Sequence, residues 1–224
     1  MALEFLKVGT DVKKEEAKDT LAGSFVWDTG VYHAKITKAY LGKSSGGAYN
    51  VTIELTDDKD RKLELVEYVT NREGVNFFVN KKGEKQLLPG MAKMNALAET
   101  LTGKEIGELE TETKLVEQYD STAKKRIPKE TPVLVELLGK EGYFGIIKVI
   151  DFKNKEKTET KEKNELDKVF NEDKLTLAEI KAGNTEPEFF DKYVEKRTPD
   201  YVKDKTQKSG KPAVQTKTKK KAPF

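Results

Sequence analysis

The sequence predicts a mainly β fold: a five-stranded barrel with one helix between strands three and four, followed by a charged, partly helical or disordered C-terminal extension. Three observations predict it. Apolar and polar residues alternate with a period of two in several short runs between Gly23 and Phe152. That period switches once to helical spacing, over Met91–Leu101. Beyond Phe152 the apolar pattern gives way to dense charge.

The first strand runs from Ser24 to Tyr40. After the turn signal Asp28-Thr29-Gly30, Tyr32, Ala34 and Ile36 alternate with His33, Lys35 and Thr37. A Gly/Ser turn over Leu41–Ala48 leads to the second strand, Tyr49–Thr56, with Tyr49, Val51, Ile53 and Leu55 on one face. The polar turn Asp57-Asp58-Lys59-Asp60 precedes a third strand carrying Leu63, Leu65 and Tyr68 or Val69, which completes an antiparallel meander. Asn71–Gly90 reads as irregular and rich in lysine and aromatics. In the helix, Met91, Met94, Leu97, Ala98 and Leu101 share one stripe and Gly103 ends it. Thr131–Leu138 is a strand with Val133, Val135 and Leu137 alternating. Tyr143–Phe152 is a nearly continuous apolar strand suited to the centre of a sheet. Leu115–Tyr119 reads as a possible extra strand. Three strands, a helix and two strands is the order of an OB-fold.

This divides the chain into an N-terminal leader (1–23), an OB-like domain (24–152), a charged linker with short helical islands (153–202) and a basic disordered tail (203–224). Lys153–Lys163 is almost purely charged. One island holds Leu166, Val169, Phe170, Leu175, Leu177 and Ile180; the other holds Phe189, Phe190, Tyr193 and Val194, entered at Thr185-Glu186-Pro187.

Charged residues make up 36% of the 224, and the mean hydropathy is −0.72. The net charge of +3 conceals an asymmetry, because Lys203–Phe224 alone holds eight lysines and one aspartate. The body is therefore slightly acidic, and nucleic-acid binding would need a local basic patch. With no cysteine, disulfides and thiolate metal sites are excluded. No apolar run is long enough to cross a bilayer and no signal peptide is evident, so the expectation is a soluble cytoplasmic protein with no membrane contact.

Gly42-Lys43-Ser44 invites a phosphate-loop reading, but Thr37 stands where the motif needs glycine, and a strand follows where it needs a helix. His33 is the single histidine and reads as a polar surface residue; no metal, cofactor or catalytic constellation is assigned, and the expectation is a protein that is not an enzyme. Asn50-Val51-Thr52 matches a glycosylation sequon inside a strand, a chance match.

The aromatics carry more. Single-strand binders stack bases on exposed rings and track phosphates with cations. Candidate rings are Trp27, Tyr32, Tyr40, Tyr49, Tyr68, Phe77, Phe78, Tyr119 and Tyr143, of which at least half belong to a core. The strongest groupings are Tyr40 with Lys38 and Lys43, Tyr68 with Arg72, and Phe77-Phe78 with Arg72, Lys81, Lys82 and Lys85. Lys124-Lys125-Arg126 is a basic cluster ahead of strand four, read equally as a phosphate clamp or a solvated turn. The predicted nucleic-acid-binding set is Lys35, Lys38, Tyr40, Lys43, Tyr49, Tyr68, Arg72, Phe77, Phe78, Lys81, Lys82, Lys124, Lys125 and Arg126, with Phe224 as a partner-binding residue.

Gly30-Val31-Tyr32-His33-Ala34-Lys35-Ile36, the loop Gly42-Lys43-Ser44-Ser45-Gly46-Gly47, the strand Tyr49–Leu55 and the turn Leu88-Pro89-Gly90 resemble bacteriophage single-stranded DNA-binding proteins of the OB-fold type. The resemblance implies a non-enzymatic, sequence-tolerant binder of single-stranded DNA in phage replication, recombination or repair, placed in the host cytoplasm and able to oligomerise. Such proteins recruit replication or recombination proteins through an acidic tail ending in an aromatic; Phe224 is similar, but its neighbours are lysines. An RNA-binding barrel and a virion adaptor protein are the alternatives.

Overall fold

The computed structural model describes residues 26–120, 123–154, 156–207 and 213–214. The leader 1–23 and the tail end with Phe224 lie outside the described residues.

The long strand β1 (Gly30–Lys43) is the hub. Its first half pairs with β8 (Glu141–Phe152) through residues 30–35, its length from Ala34 pairs with β2 (Tyr49–Asp57), and Tyr40 reaches β7 (Lys125–Leu134) at Val133. A bulge between Ile36 and Lys38 lets one strand serve both neighbourhoods, since an extra residue bends a strand and raises its twist. The bulge keeps Ala34 and Ile36, then Ala39, turned to the core. β2 follows the alternation expected of it, with Val51, Ile53 and Leu55 fully buried, and it pairs with β3 (Lys62–Tyr68).

The helix α1 (Pro89–Thr102) starts with proline in its first turn and ends at Gly103 in the left-handed conformation. Met94, Leu97 and Ala98 pack on the inward sheet face with Ile36, Ile53, Leu55, Phe144 and Ile146. The helix enters tightly at the end of β3: a Cβ on Gly90 would collide with the Tyr68 carbonyl oxygen.

Several expectations are corrected. The sheet has nine strands and does not close on itself among the described residues: β3 pairs only with β2. The outer edge of β8, which closure would have used, is occupied by β9 (Thr160–Phe170) along Tyr143–Phe152. β9 contacts β3 without pairing to it, and α1 packs against both. The predicted charged linker therefore ends inside a strand, and Leu166, Val169 and Phe170, read as part of a helical island, are buried strand residues. Strand backbones pair whatever their side chains, and here the charge is matched locally: Lys163 lies 2.7 Å from Asp151, and Lys205 2.6 Å from Glu165.

The remaining islands form α2 (Leu177–Ala182) and α3 (Phe190–Lys196). Phe190 and Tyr193 pack with Phe170 in a second, smaller core on the other side of β8. Gly145 permits it, because a Cβ there would meet the Tyr193 ring and hydroxyl. β10 (Tyr201–Asp204) runs parallel to β8 at Lys148–Ile150, and β11 (Ala213–Val214) pairs with β10. Part of the tail read as disordered is thus built into the sheet. β8 is a central strand, as its apolar run suggested, with β9 on one edge and β1 then β10 on the other. The strand expected over Thr131–Leu138 stops at Leu134, where a short 3-10 turn drops Leu137 into the core. No helix among the described residues is long and apolar enough to cross a membrane.

Candidate nucleic-acid interface

The face of β1–β3 turned away from the core carries the candidate site. Register places Lys38, Glu54 and Glu64 in one row across it, Tyr40, Thr52 and Val66 in the next, and Gly42, Asn50 and Tyr68 in a third. Val66 and Tyr68 are 49% and 52% exposed. From Glu64 to Tyr68 this strip covers about 13 Å at about 3.3 Å per residue.

A long hairpin stands over the strip. β6 (Thr111–Asp120), the extra strand suspected from Leu115–Tyr119, pairs residue for residue with β7. Arg126 on this hairpin reaches Glu64 on β3, Nη2 to Oε2 3.0 Å. Tyr119 is the cross-strand partner of Arg126, and Leu115 lies on the same hairpin face by the period of two. Tyr119 and Leu115 are 62% and 69% exposed. The hairpin and the sheet each carry exposed rings and apolar side chains, and Arg126 joins the two through Glu64.

The third row leads to the loop end of the sheet. Lys43 pairs with Tyr49 and its ammonium sits 4.8 Å from that ring's centroid. The glycine loop folds against Arg72: Gly47 has φ +93°, and a Cβ there would lie 2.9 Å from the Arg72 carbonyl oxygen. The Val69 N–H donates to the Tyr49 carbonyl at 3.0 Å, which joins this cluster to Tyr68. Beyond it, β4 (Phe77–Val79) and β5 (Lys85–Leu87) form a separate two-stranded hairpin where the sequence read as irregular. Phe77 is half-buried under Lys85, whose ammonium is 4.7 Å from the ring, while Phe78 is exposed, the in-and-out pair that a strand requires. Lys81 and Lys82 are exposed in its turn.

Several predicted residues have other duties. Tyr40 is buried under the hairpin at 6% exposure, and burial raises its phenol pKa, with a hydrogen bond from Thr52 acting the other way. Lys38 is half-buried and bonded to Glu54 at 2.6 Å. Burial pushes the Glu54 carboxyl up, but the bonds from Lys38 and Thr37 outweigh it and hold it below the usual range. Lys35 lies 3.4 Å from Glu141, further down β1. Lys124, in a left-handed turn, and Lys125 cap the hairpin tip. Among the described residues, Lys43, Arg72, Lys81 and Lys82 make no ion pair. Trp27 is 1% exposed and belongs to the core.

Sequence reasoning missed Val66 and Leu115, and it left Tyr119 among the unranked rings. All three alternate on their strands, but their exposure follows from strand pairings that local pattern does not record.

The arrangement defines a class: an open β-sheet that presents an exposed strip of rings beside cations, overhung by a hairpin. No protein-family model matches the chain, and no curated protein matches it.

Proposed function

We propose that this face binds single-stranded DNA with little sequence preference. The observation that carries the reading is the exposure of Val66 and Tyr68 on the sheet and of Leu115 and Tyr119 on the hairpin whose Arg126 reaches Glu64. Exposed rings offer flat surfaces to any base, and Lys43, Arg72, Lys81, Lys82 and Arg126 supply phosphate partners along and beyond the strip. The element order supports an OB-fold-like reading: β1, β2, β3, α1, β7 and β8 keep the three-strand, helix, two-strand sequence, with β4–β5 inserted before the helix and β6 extending β7. The biological setting follows from the resemblance: phage DNA replication, recombination or repair in the host cytoplasm, with replication or recombination proteins as partners of the tail. Arg126 and Glu64 are already bonded, so DNA entering the groove exchanges a carboxylate for a phosphate there.

The test is fluorescence anisotropy of a labelled oligothymidine with the full chain, at low and high salt, against a duplex and a matched RNA of equal length. A double variant, Tyr68→Ala with Tyr119→Ala, is compared with one in which Lys219, Lys220 and Lys221 become serine. Tighter binding of the single strand, lost in the tyrosine variant and only weakened in the lysine variant, supports the reading. Equal binding of single strand and duplex that the lysine variant abolishes refutes it and leaves a charge effect of the tail.

A further inference from the structure

We propose that His33, Glu141 and Glu172 hold a divalent first-row transition metal. This site lies apart from the groove and does not rest on the nucleic-acid reading.

One donor atom from each of the three residues lies within 4.8 Å of the others. Donors on one tetrahedral ion at about 2.1 Å stand about 3.4 Å apart. The set therefore has to draw in by up to about 1.4 Å, a movement that falls to the two carboxylate side chains. The residues come from three places in the fold. His33 is on β1, Glu141 is on β8, and Glu172 lies in the turn after β9. His33 pairs across with Tyr143, so Glu141 is its diagonal neighbour on the same face, and Phe170 pairs with Tyr143 from the other side.

The histidine is held in place. Asp58 Oδ1 lies 3.0 Å from its Nδ1, and the Tyr143 ring packs 5.0 Å from the imidazole. That leaves Nε2 as the free ring nitrogen, and a carboxylate on the other nitrogen orients a ligating imidazole and raises its basicity. The Glu172 turn is also fixed: Asn171 Oδ1 accepts from the Leu175 N–H at 2.8 Å. One imidazole with two carboxylates favours Zn2+, Co2+ or Ni2+ over Mg2+, which takes oxygen ligands, and water would complete the shell. Lys35, 3.4 Å from Glu141, is the competing cation. The bound ion would tie β1, β8 and the turn beyond β9 into one unit.

The chain has one histidine and no cysteine, so imidazole-dependent metal binding can come from one residue only. The experiment titrates untagged full chain with Zn2+ by calorimetry and with Co2+ by visible absorption, and follows the single imidazole by NMR. The expected result is one saturable site, a shifted His33 resonance and a higher melting temperature with Zn2+. His33→Gln and Glu172→Gln should each weaken binding at least tenfold, Asp58→Asn about tenfold, and Lys35→Met should tighten it. Circular dichroism shows whether each variant is folded; Glu172 is exposed, so its variant keeps the test decisive if His33→Gln unfolds. No saturable binding at millimolar Zn2+, or unchanged affinity in Glu172→Gln or in a folded His33→Gln, overturns the proposal.

Discussion

The Asn164 carboxamide makes both main-chain hydrogen bonds of Trp27: Oδ1 accepts from the Trp27 N–H and Nδ2 donates to the Trp27 carbonyl, each at 2.8 Å. Trp27 is 1% exposed, so the segment leading into β1 is held by β9. Asn164→Ala should destabilise the protein by about 2–3 kcal/mol, since two bonds of about 1 kcal/mol each are removed and a buried donor is left without a partner. Urea denaturation measures it; Asn164→Asp keeps the acceptor for the N–H but sets a carboxylate oxygen against the Trp27 carbonyl, so it should destabilise as well.

Cutting the chain after Phe152 removes β9 with Leu166, Val169 and Phe170, all buried. Three such side chains contribute about 1.5–3 kcal/mol each. Their sum is comparable with the whole stability of a typical domain, about 5–15 kcal/mol. Fragment 1–152 should show no cooperative thermal transition by circular dichroism. A sharp transition would mean that β9 is dispensable.

Acid should loosen the β2–β3 turn. Burial pushes the Asp57 carboxyl up, but bonds from the Arg61 side chain and from the Arg61 and Lys59 N–H groups outweigh it, and its pKa lies below the ordinary value. Glu54 behaves alike. For a depressed carboxyl, the stabilisation is complete above the unfolded value, about 4, and disappears as pH falls through the folded value. Stability measured by urea titration should therefore fall below about pH 4. Asp57→Asn should flatten that fall and cost about 1.5–3 kcal/mol at pH 7, the range for hydrogen bonds to charged groups. Arg61 also stacks 5.2 Å from Trp27, so Trp fluorescence should report the change.

The groove makes a graded prediction about rings. Tyr68→Ala and Tyr119→Ala should each weaken oligothymidine binding by about 1–3 kcal/mol if each stacks one base. Tyr40→Phe should leave affinity unchanged, because Tyr40 is covered. Anisotropy titrations at one salt concentration compare the three. A loss in Tyr40→Phe equal to that in Tyr68→Ala would move the binding surface elsewhere.

Replacing Lys43, Arg72, Lys81 and Lys82 with glutamine should make single-strand binding less sensitive to salt. The slope of log affinity against log salt should shrink by about 0.7 for each phosphate that these cations neutralise. Titrations across a salt series give the slope directly. An unchanged slope would show that these cations touch no phosphate.

Much of the β1–β3 and α1 region was legible in the residues, because burial writes itself as periodicity. Val51, Ile53 and Leu55 alternate, Met94, Leu97 and Ala98 recur at helical spacing, and the run in β8 is apolar because that strand is covered on both faces. Lys43, Tyr49 and Arg72 are each candidates in the sequence, but its pattern groups Lys43 with Tyr40 and Arg72 with Tyr68; the fold instead sets Lys43 over the Tyr49 ring and Arg72 against the glycine loop. Tertiary structure decided the rest. β9 was hidden because its first half buries little, so its side chains carry no alternation while its backbone completes β8. Tyr40 left the candidate site because a hairpin distant in sequence covers it, and Leu115 and Tyr119 joined because the same hairpin carries them, exposed, on the face of Arg126. The sheet stays open because β9 takes the edge of β8 that a closed barrel needs. Local pattern records whether a side chain is buried; it carries no record of which distant backbone pairs with which edge, and that pairing shapes both the groove and the His33 cluster.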